Sequence, residues 1–289
     1  MKSIVLYMHV HQPYRLRHYT VFDTAAKHDY FDSDFEAPTS NERILRKVAE
    51  KSYLPTNQRL LQLLNENPDF HLSLSITGVI IEQLERWCPE ALASFKALTD
   101  TGRVEIIGET YHHSLAFFYS RPEFEVQVDM HRRKVQETFG QTPAVFRNTE
   151  LAYNNQLAQW ADKAGYKGIL AEGWDPVLGW RSPNYLYQPT YTEHLRLLLK
   201  NYRLSDDIAF RFGDSAWSEW PLTADKFSHW LSEDDKAEIF NIFVDYETFG
   251  EHQWDESGIF GYLEHLTKEW LKTDGQGLGL TRTFSPLAI

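Results

Sequence analysis

Cysteine is almost absent from this chain: among 289 residues only Cys88 carries a thiol, which excludes an internal disulfide and suits a reducing compartment. Long apolar runs are missing too. None approaches the roughly 20 residues that span a bilayer, and the short run in the opening MKSIVLYMHVHQP is interrupted by a histidine after a few residues, so it makes a poor signal peptide. A cytoplasmic location is therefore expected. Basic charge is in deficit, with 29 Lys and Arg against 41 Asp and Glu and a formal net charge of −12. That balance argues against nucleic acid or an anionic membrane as the main partner. No Pro-rich linker, low-complexity segment or internal repeat divides the chain, whose length suffices for one large domain with a sizeable core. The sequence leaves the oligomeric state open.

What is present is a recurring layout: a short apolar run, then polar and aromatic residues, then a helical pattern. Ile4–Met8 reads as a first buried strand, with His9, His11, Gln12 and Tyr14 following it. Arg15–Thr39 lacks periodicity and reads as a long irregular insertion. Ser40 or Asn41 caps a helix, and the helical pattern resumes after Pro55. Further strands are expected at His71–Ile76, Val104–Ile107, Ala144–Arg147, Gly168–Ala171, Leu195–Leu199 and Ile239–Val244. Helices are expected at Gly78–Trp87, Pro89–Thr101, Pro122–Phe139, Asn154–Ala164 and Gly258–Leu271. Seven strands alternating with helices imply a parallel sheet, and that number favours closure into a (β/α)7 barrel, an incomplete TIM-like barrel. In such barrels the chemistry sits beyond the C-terminal strand ends, where this chain keeps its His, Glu, Asp and Trp residues. The barrel is expected to span residues 1–272. Residues 273–289, Gly-rich and weakly patterned, read as a tail or as the truncated start of a helical region.

Three groups at strand ends could carry chemistry: His9 with His11 and Gln12; Glu109 with His112 and His113; and Glu150 with Asp245 and Glu247. Asp245 and Glu247 lie two residues apart after an apolar run, so on an extended strand they share a face, and two crowded carboxylates resist joint ionisation. His9-Val10-His11 is also a metal-ligand pattern, which together with Asp245 keeps a metal-dependent polysaccharide deacetylase open as an alternative. Glu150 and Asp245 suit glycoside cleavage, which needs one protonated carboxyl and one ionised carboxylate. Trp174, Trp180, Tyr185, Tyr187, Tyr191, Trp217, Trp220 and Trp254 stand in or near loops, where flat rings suit the C–H faces of sugars, although part of them are expected to be ordinary packing.

Five segments then resemble, in order, the signature regions of glycoside hydrolase family 57: His9-Val10-His11-Gln12-Pro13-Tyr14, Gly78-Val79-Ile80-Ile81-Glu82-Gln83, Glu109-Thr110-Tyr111-His112-His113-Ser114, Phe146-Arg147-Asn148-Thr149-Glu150 and Asp245-Tyr246-Glu247-Thr248-Phe249-Gly250. Together they cover nearly the whole chain, and DYETFGEHQW most resembles the α-amylase-like branch. The resemblance implies a (β/α)7 barrel and a retaining mechanism on α-glucans such as starch or glycogen, with no cofactor and no metal. By matching, it makes Glu150 the nucleophile and Asp245 the general acid/base. His11, Glu82, Glu109, His113, Glu247 and Trp254 would line the site, with His9 beside them. Glu247, Phe249 and Trp254 are expected to raise the pKa of Asp245 and keep it protonated. The family also implies a helical region after the barrel that completes the substrate cleft, whereas this chain reaches Ile289 soon after its last barrel helix. Besides hydrolysis, the resemblance leaves room for 4-α-glucanotransferase or branching activity, and for glucan binding without catalysis.

Overall fold

Alternation along the strands decides how the chain is layered. The computed structural model describes residues 2–23, 29–31, 34–271 and 279–281. Its barrel strands are β1 (Ser3–Val10), β2 (Leu72–Ile76), β3 (Val104–Ile106), β4 (Val145–Arg147), β5 (Gly168–Glu172), β6 (Arg196–Lys200) and β7 (Ile239–Asp245), all paired in parallel. In β1 the even residues Ile4, Leu6, Met8 and Val10 join the outer core against the helices, while Val5 and Tyr7 join an inner cluster. In β7, Phe240, Ile242 and Val244 face out and Phe243 faces in. Ile107, Val145, Leu170 and Leu198 complete the inner cluster from the strands between. One face of every strand thus meets helices and the other meets its fellow strands, as a parallel barrel requires.

The strands form two hydrogen-bonded arcs, β3-β2-β1-β7 and β4-β5-β6. Two seams join them. Gly108 N donates to Val145 O at 2.9 Å and receives Arg147 N on its own carbonyl at 2.8 Å. On the other side Asn201 N donates to Asn241 O, and Asn241 Nδ2 donates to Leu199 O, each at 2.9 Å. The chain adopts the (β/α)7 barrel architecture expected from its sequence. A short β8 (Gly279–Thr281), inside the stretch read as a tail, pairs with Ser3–Val5 of β1; the rest of 273–289 lies outside the described residues.

The helices are α1 (Asn41–Val48), α2 (Leu54–Glu66), α3 (Gly78–Trp87), α4 (Pro89–Asp100), α5 (Ala116–Tyr119), α6 (Arg121–Phe139), α7 (Asn155–Lys163), α8 (Asp175–Leu178), α9 (Tyr202–Asp206), α10 (Ala224–Glu233) and α11 (Ile259–Trp270). Their starts follow side-chain chemistry: Ser40, Thr77, Ser120 and Asn154 each accept a backbone N–H of the first turn. Gly140, at φ 69°, ends α6. Two details differ from the sequence reading. The helix does not pause at Pro55; a π-helical turn, Ala49–Tyr53, runs straight from α1 into α2. The wider turn makes room for a proline ring that would clash in regular α-helix. Residues 200–238, left without elements by the reading, hold α9, a second π-helical turn at Asp207–Arg211, and α10. Ala224, Phe227 and Leu231 of α10 are buried at helical spacing. The insertion at Arg15–Thr39 has a single 3-10 turn, Val21–Asp23, among its described residues. No helix among the described residues is long and apolar enough to cross a membrane.

Candidate active site

The parity that fills the barrel also delivers its polar residues. After Val5 and Tyr7, the next inward position of β1 is His9; after Asn241 and Phe243 on β7 it is Asp245; after Val145 on β4 it is Arg147; after Leu170 on β5 it is Glu172; after Leu198 on β6 it is Lys200. These five side chains, with Glu150, His252, Thr248 and Phe210, line one cavity of about 220 Å³ at the C-terminal mouth. Ile107 faces inward just past β3, and Glu109 follows at the same parity, fully buried.

Glu150 sits in a 3-10 turn, Thr149–Leu151, just beyond β4. It and Leu151 both adopt left-handed backbone, at φ 57° and 55°. Such conformations cost side-chain-bearing residues free energy and persist where surrounding structure enforces them. The turn lifts the carboxylate into the mouth, where the side chain is 74% exposed. His113, itself at φ 54°, brings Nε2 within 3.0 Å of Glu150 Oε1. This bond is the largest of the influences that hold the Glu150 carboxyl below its ordinary pKa, against burial, which pushes it up. Burial lowers the His113 pKa, but its bonds to Glu109 and Glu150 outweigh that and the net shift is upward.

His9, His113 and Glu109 are drawn together from three strand ends. His9 Nε2 lies 3.3 Å from Glu109 Oε2 and His113 Nδ1 lies 3.8 Å from the same oxygen. Burial alone would push the Glu109 carboxyl up; its histidines and Arg147 hold it well below the usual range instead. The other nitrogen of His9, Nδ1, stands 3.8 Å from Asp245 Oδ1. The His9, His11 and His113 rings stack, with centroids 4.2 Å apart for His11 and His113 and 4.9 Å for His9 and His113. His11 donates to or accepts from Thr77 Oγ1 at 2.9 Å, and burial followed by the neighbouring imidazoles lowers its pKa to about 3. Within the trio His11 is thus pushed toward the neutral form and His113 toward the cationic one.

The expected sharing of a face by Asp245 and Glu247 does not occur. β7 ends at Asp245, a 3-10 turn occupies Tyr246–Thr248, and strand parity ends with the strand. The Glu247 side chain is buried, where it receives the Tyr53 hydroxyl and, at 3.3 Å, the Gln12 amide. The first π-helical turn presents Tyr53 to it. Gly250, at φ 104°, packs so close that an added Cβ would lie 2.0 Å from Lys51 O, which seats the β7 loop against that same turn.

The pKa order is also the reverse of the sequence expectation. Burial raises the Glu247 carboxyl to about 7, with Asp245 adding to the rise. Burial raises Asp245 too, but His9, Arg147 and His252 outweigh it and its net shift is downward. The reason is geometric: Asp245 keeps a side chain 60% exposed near His9 and the Arg147 guanidinium, while Glu247 has only neutral partners. Phe249 is buried in the outer core, and Trp254 is 63% exposed beneath the Lys51 ammonium, so neither desolvates Asp245.

The remaining sequence candidates fall around a second cavity of about 570 Å³, lined by His11, Glu82, His112, Tyr14, Tyr30 and Phe31 among others. Glu82 accepts the Tyr111 hydroxyl there. Within the histidine stack His9 lines the first cavity and His11 the second. Of the loop aromatics, Trp174, Trp180, Tyr191 and Trp254 are exposed, whereas Trp217 packs against the core beside Trp230.

Sequence reasoning passed over Arg147, Glu172 and Lys200 as site residues. Their signal was available: each is a charged residue at inward parity that closes the C-terminal end of its strand. Glu172 and Lys200 are paired in register and their charged groups stand 3.9 Å apart.

A parallel α/β barrel whose inward strand faces end in a carboxylate-lined cleft is the class that fold and site define. The chain belongs to glycosyl hydrolase family 57, whose family model matches residues 5–286. A protein of Methanocaldococcus jannaschii named "Putative alpha-amylase" is 47% identical over 265 residues, which are 91% of this chain and 55% of that relative. A 4-alpha-glucanotransferase of Thermococcus litoralis superposes with a TM-score of 0.70 at 16% identity, covering 98% of this chain and 39% of its own. A branching enzyme of the same family type from Pyrococcus horikoshii also gives 0.70 at 16% identity, over 96% of this chain and 69% of its own. At such identities the two structures speak for the fold alone. The chain spans about half the length of the M. jannaschii relative.

Proposed function

We propose that this barrel is the catalytic unit of a retaining glycoside hydrolase acting on α-glucans, with Glu150 as nucleophile and Asp245 as general acid/base. The observation that carries the reading is the pair's placement: both carboxylates line one cavity at the barrel mouth, and each has its own histidine, His113 for Glu150 and His9 for Asp245. Glu150, held ionised and exposed, attacks the anomeric carbon while Asp245 passes a proton to the departing glycosidic oxygen. Asp245 then takes a proton from water as that water's oxygen displaces Glu150 from the sugar. Asp245 is held low in the free protein, so its acid role depends on substrate. A sugar ring that covers its exposed side chain removes water and strengthens the burial that already pushes this carboxyl up. His9 assists in the tautomer that donates from Nε2 to Glu109, which leaves Nδ1 as an acceptor facing a protonated Asp245.

His11, Glu82, Glu109, His113, Glu247 and Trp254 belong to the substrate-binding and positioning set in this reading, and residues 1–272 are its catalytic unit. A cytoplasmic location is part of the proposal, supported by the near absence of cysteine. Glu150→Gln should abolish release of reducing sugar from maltooligosaccharides or starch; full activity in that variant would sink the assignment. The names of the solved relatives favour one second reading, a glucanotransferase or branching enzyme, in which a sugar hydroxyl replaces water in the second step. Product analysis with oligosaccharide acceptors separates the two.

A further inference from the structure

The donor atoms of His9, Glu109 and His113 lie within 4.8 Å of one another, close enough to hold a metal ion. Two imidazoles and a carboxylate are a familiar ligand set for zinc. A side-chain cation already stands in that place. Arg147 Nη1 is 3.4 Å from His9 Nε2, 3.4 Å from His113 Nδ1 and 3.5 Å from Glu109 Oε2. A zinc ion needs ligands at about 2.0–2.2 Å, and an ion at that distance from these three atoms would press against the guanidinium nitrogen with like charge. Arg147 is 5% exposed, is rooted at the end of β4, and holds Nη1 against all three candidate ligand atoms. The three-atom cage therefore does not fit a metal while Arg147 is present.

We propose that Arg147 is the resident cation of this cage, a positioning residue that takes the electrostatic place of a metal ion and thereby commits the site to carboxylate chemistry. This rests on reading Glu150 and Asp245 as the reacting pair. A bound metal would convert water to hydroxide at neutral pH and polarise a carbonyl. A guanidinium has no open coordination position and no proton to give near neutral pH, so it does neither. What it does is add fixed positive charge to that of the histidines, which lowers the carboxyls of Glu109, Glu150 and Asp245 alike. The separation of this site from a metal-dependent deacetylase would then lie in one residue. The ligand pattern His9, His11 and Asp245 considered for that alternative is not assembled: His11 is bonded to Thr77, and the close set is His9, Glu109 and His113. Glu109 Oε1 is buried without a hydrogen-bond partner among the described residues, so the cage retains an acceptor for an ion once the guanidinium is gone.

The test is zinc binding, which does not depend on turnover. Chelator-treated wild-type chain, titrated with Zn²⁺ by calorimetry, should show no site that depends on His9, and its unfolding temperature should not rise with Zn²⁺. Arg147→Ala should bind one Zn²⁺ per chain and gain thermal stability as Zn²⁺ is added, because an ion that binds only the folded state stabilises it. His9→Ala in the Arg147→Ala background should remove both effects. Arg147→Lys, which keeps a cation near the cage, should exclude zinc as the wild type does. A wild-type Zn²⁺ site that is lost in His9→Ala, or an Arg147→Ala chain neither bound nor stabilised by Zn²⁺, overturns the proposal. Full activity of Glu150→Gln would sink the glycosidase reading while leaving the zinc results intact, so the two failures are distinguishable.

Discussion

Glu150 and Glu247 are the same amino acid, each in a 3-10 turn just past a barrel strand, yet their surroundings push them in opposite directions. Glu150 is exposed and hydrogen-bonded to His113, which lowers its pKa. Glu247 is buried against a phenol and an amide, and its pKa rises to about 7. Environment rather than residue type or distance from the strand divides the two carboxyls. A carboxyl close to half-protonated at neutral pH is not by itself the working acid when it has no access to the cavity.

The comparison breaks most sharply in activity. Glu150→Gln should lower turnover by a factor on the order of 10⁴ or more, as expected for loss of a group that forms the covalent intermediate, with circular dichroism unchanged. Glu247→Gln, an isosteric change in a residue outside the cavity lining, should leave measurable turnover; an equal loss in both variants would erase the distinction.

Next in size is stability against pH. The folded-state pKa of Glu247 is raised above its ordinary value of 4.5, so its contribution is fully present below that value and is lost as pH rises through about 7. A shift of this size corresponds to roughly 3 kcal/mol at about 1.4 kcal/mol per unit. Urea unfolding at pH 5 and pH 8 should show wild type losing much of that amount and Glu247→Gln losing little of it. Parallel curves for the two proteins would count against the raised pKa.

His113→Ala tests the other side. It removes the largest influence lowering Glu150 and leaves burial, so the Glu150 pKa should rise and the acidic limb of the kcat/KM profile should move to higher pH. A limb that stays in place would show that the pair does not set the nucleophile's ionisation. The smallest effect is expected at Trp254, exposed at the edge of the β7 loop: Trp254→Ala should change stability by about 0.5 kcal/mol or less, and raise KM with little change in kcat if the ring binds sugar.

Much of the architecture was legible because its causes are local. The apolar runs at Ile4–Met8 and Ile239–Val244 became strands three residues and one residue longer than read, and Ser40, Asn154, Gly140 and Gly165 marked helix ends. The segment 200–238 was not legible as a whole because α9 and its π-helical turn are too short to show a period, although Ala224, Phe227 and Leu231 did carry one. Within the site, His9, Glu109, Glu150 and Asp245 were readable from their positions after strands. The pairing of Asp245 with Glu247 was misread because parity was carried past the residue at which the strand stops.

Sequence alone determined which residues reach the barrel mouth, since a period of two along a strand assigns every side chain to one face: His9 after Tyr7, Arg147 after Val145 and Asp245 after Phe243. Only the tertiary structure decided what those residues become. The ionisation of Glu150, Asp245 and Glu247, and the insertion of Arg147 among His9, Glu109 and His113, depend on water exclusion and on distances of 3–4 Å between groups brought in by separate strands. Coulomb and desolvation effects act across that space with no regard for separation along the chain.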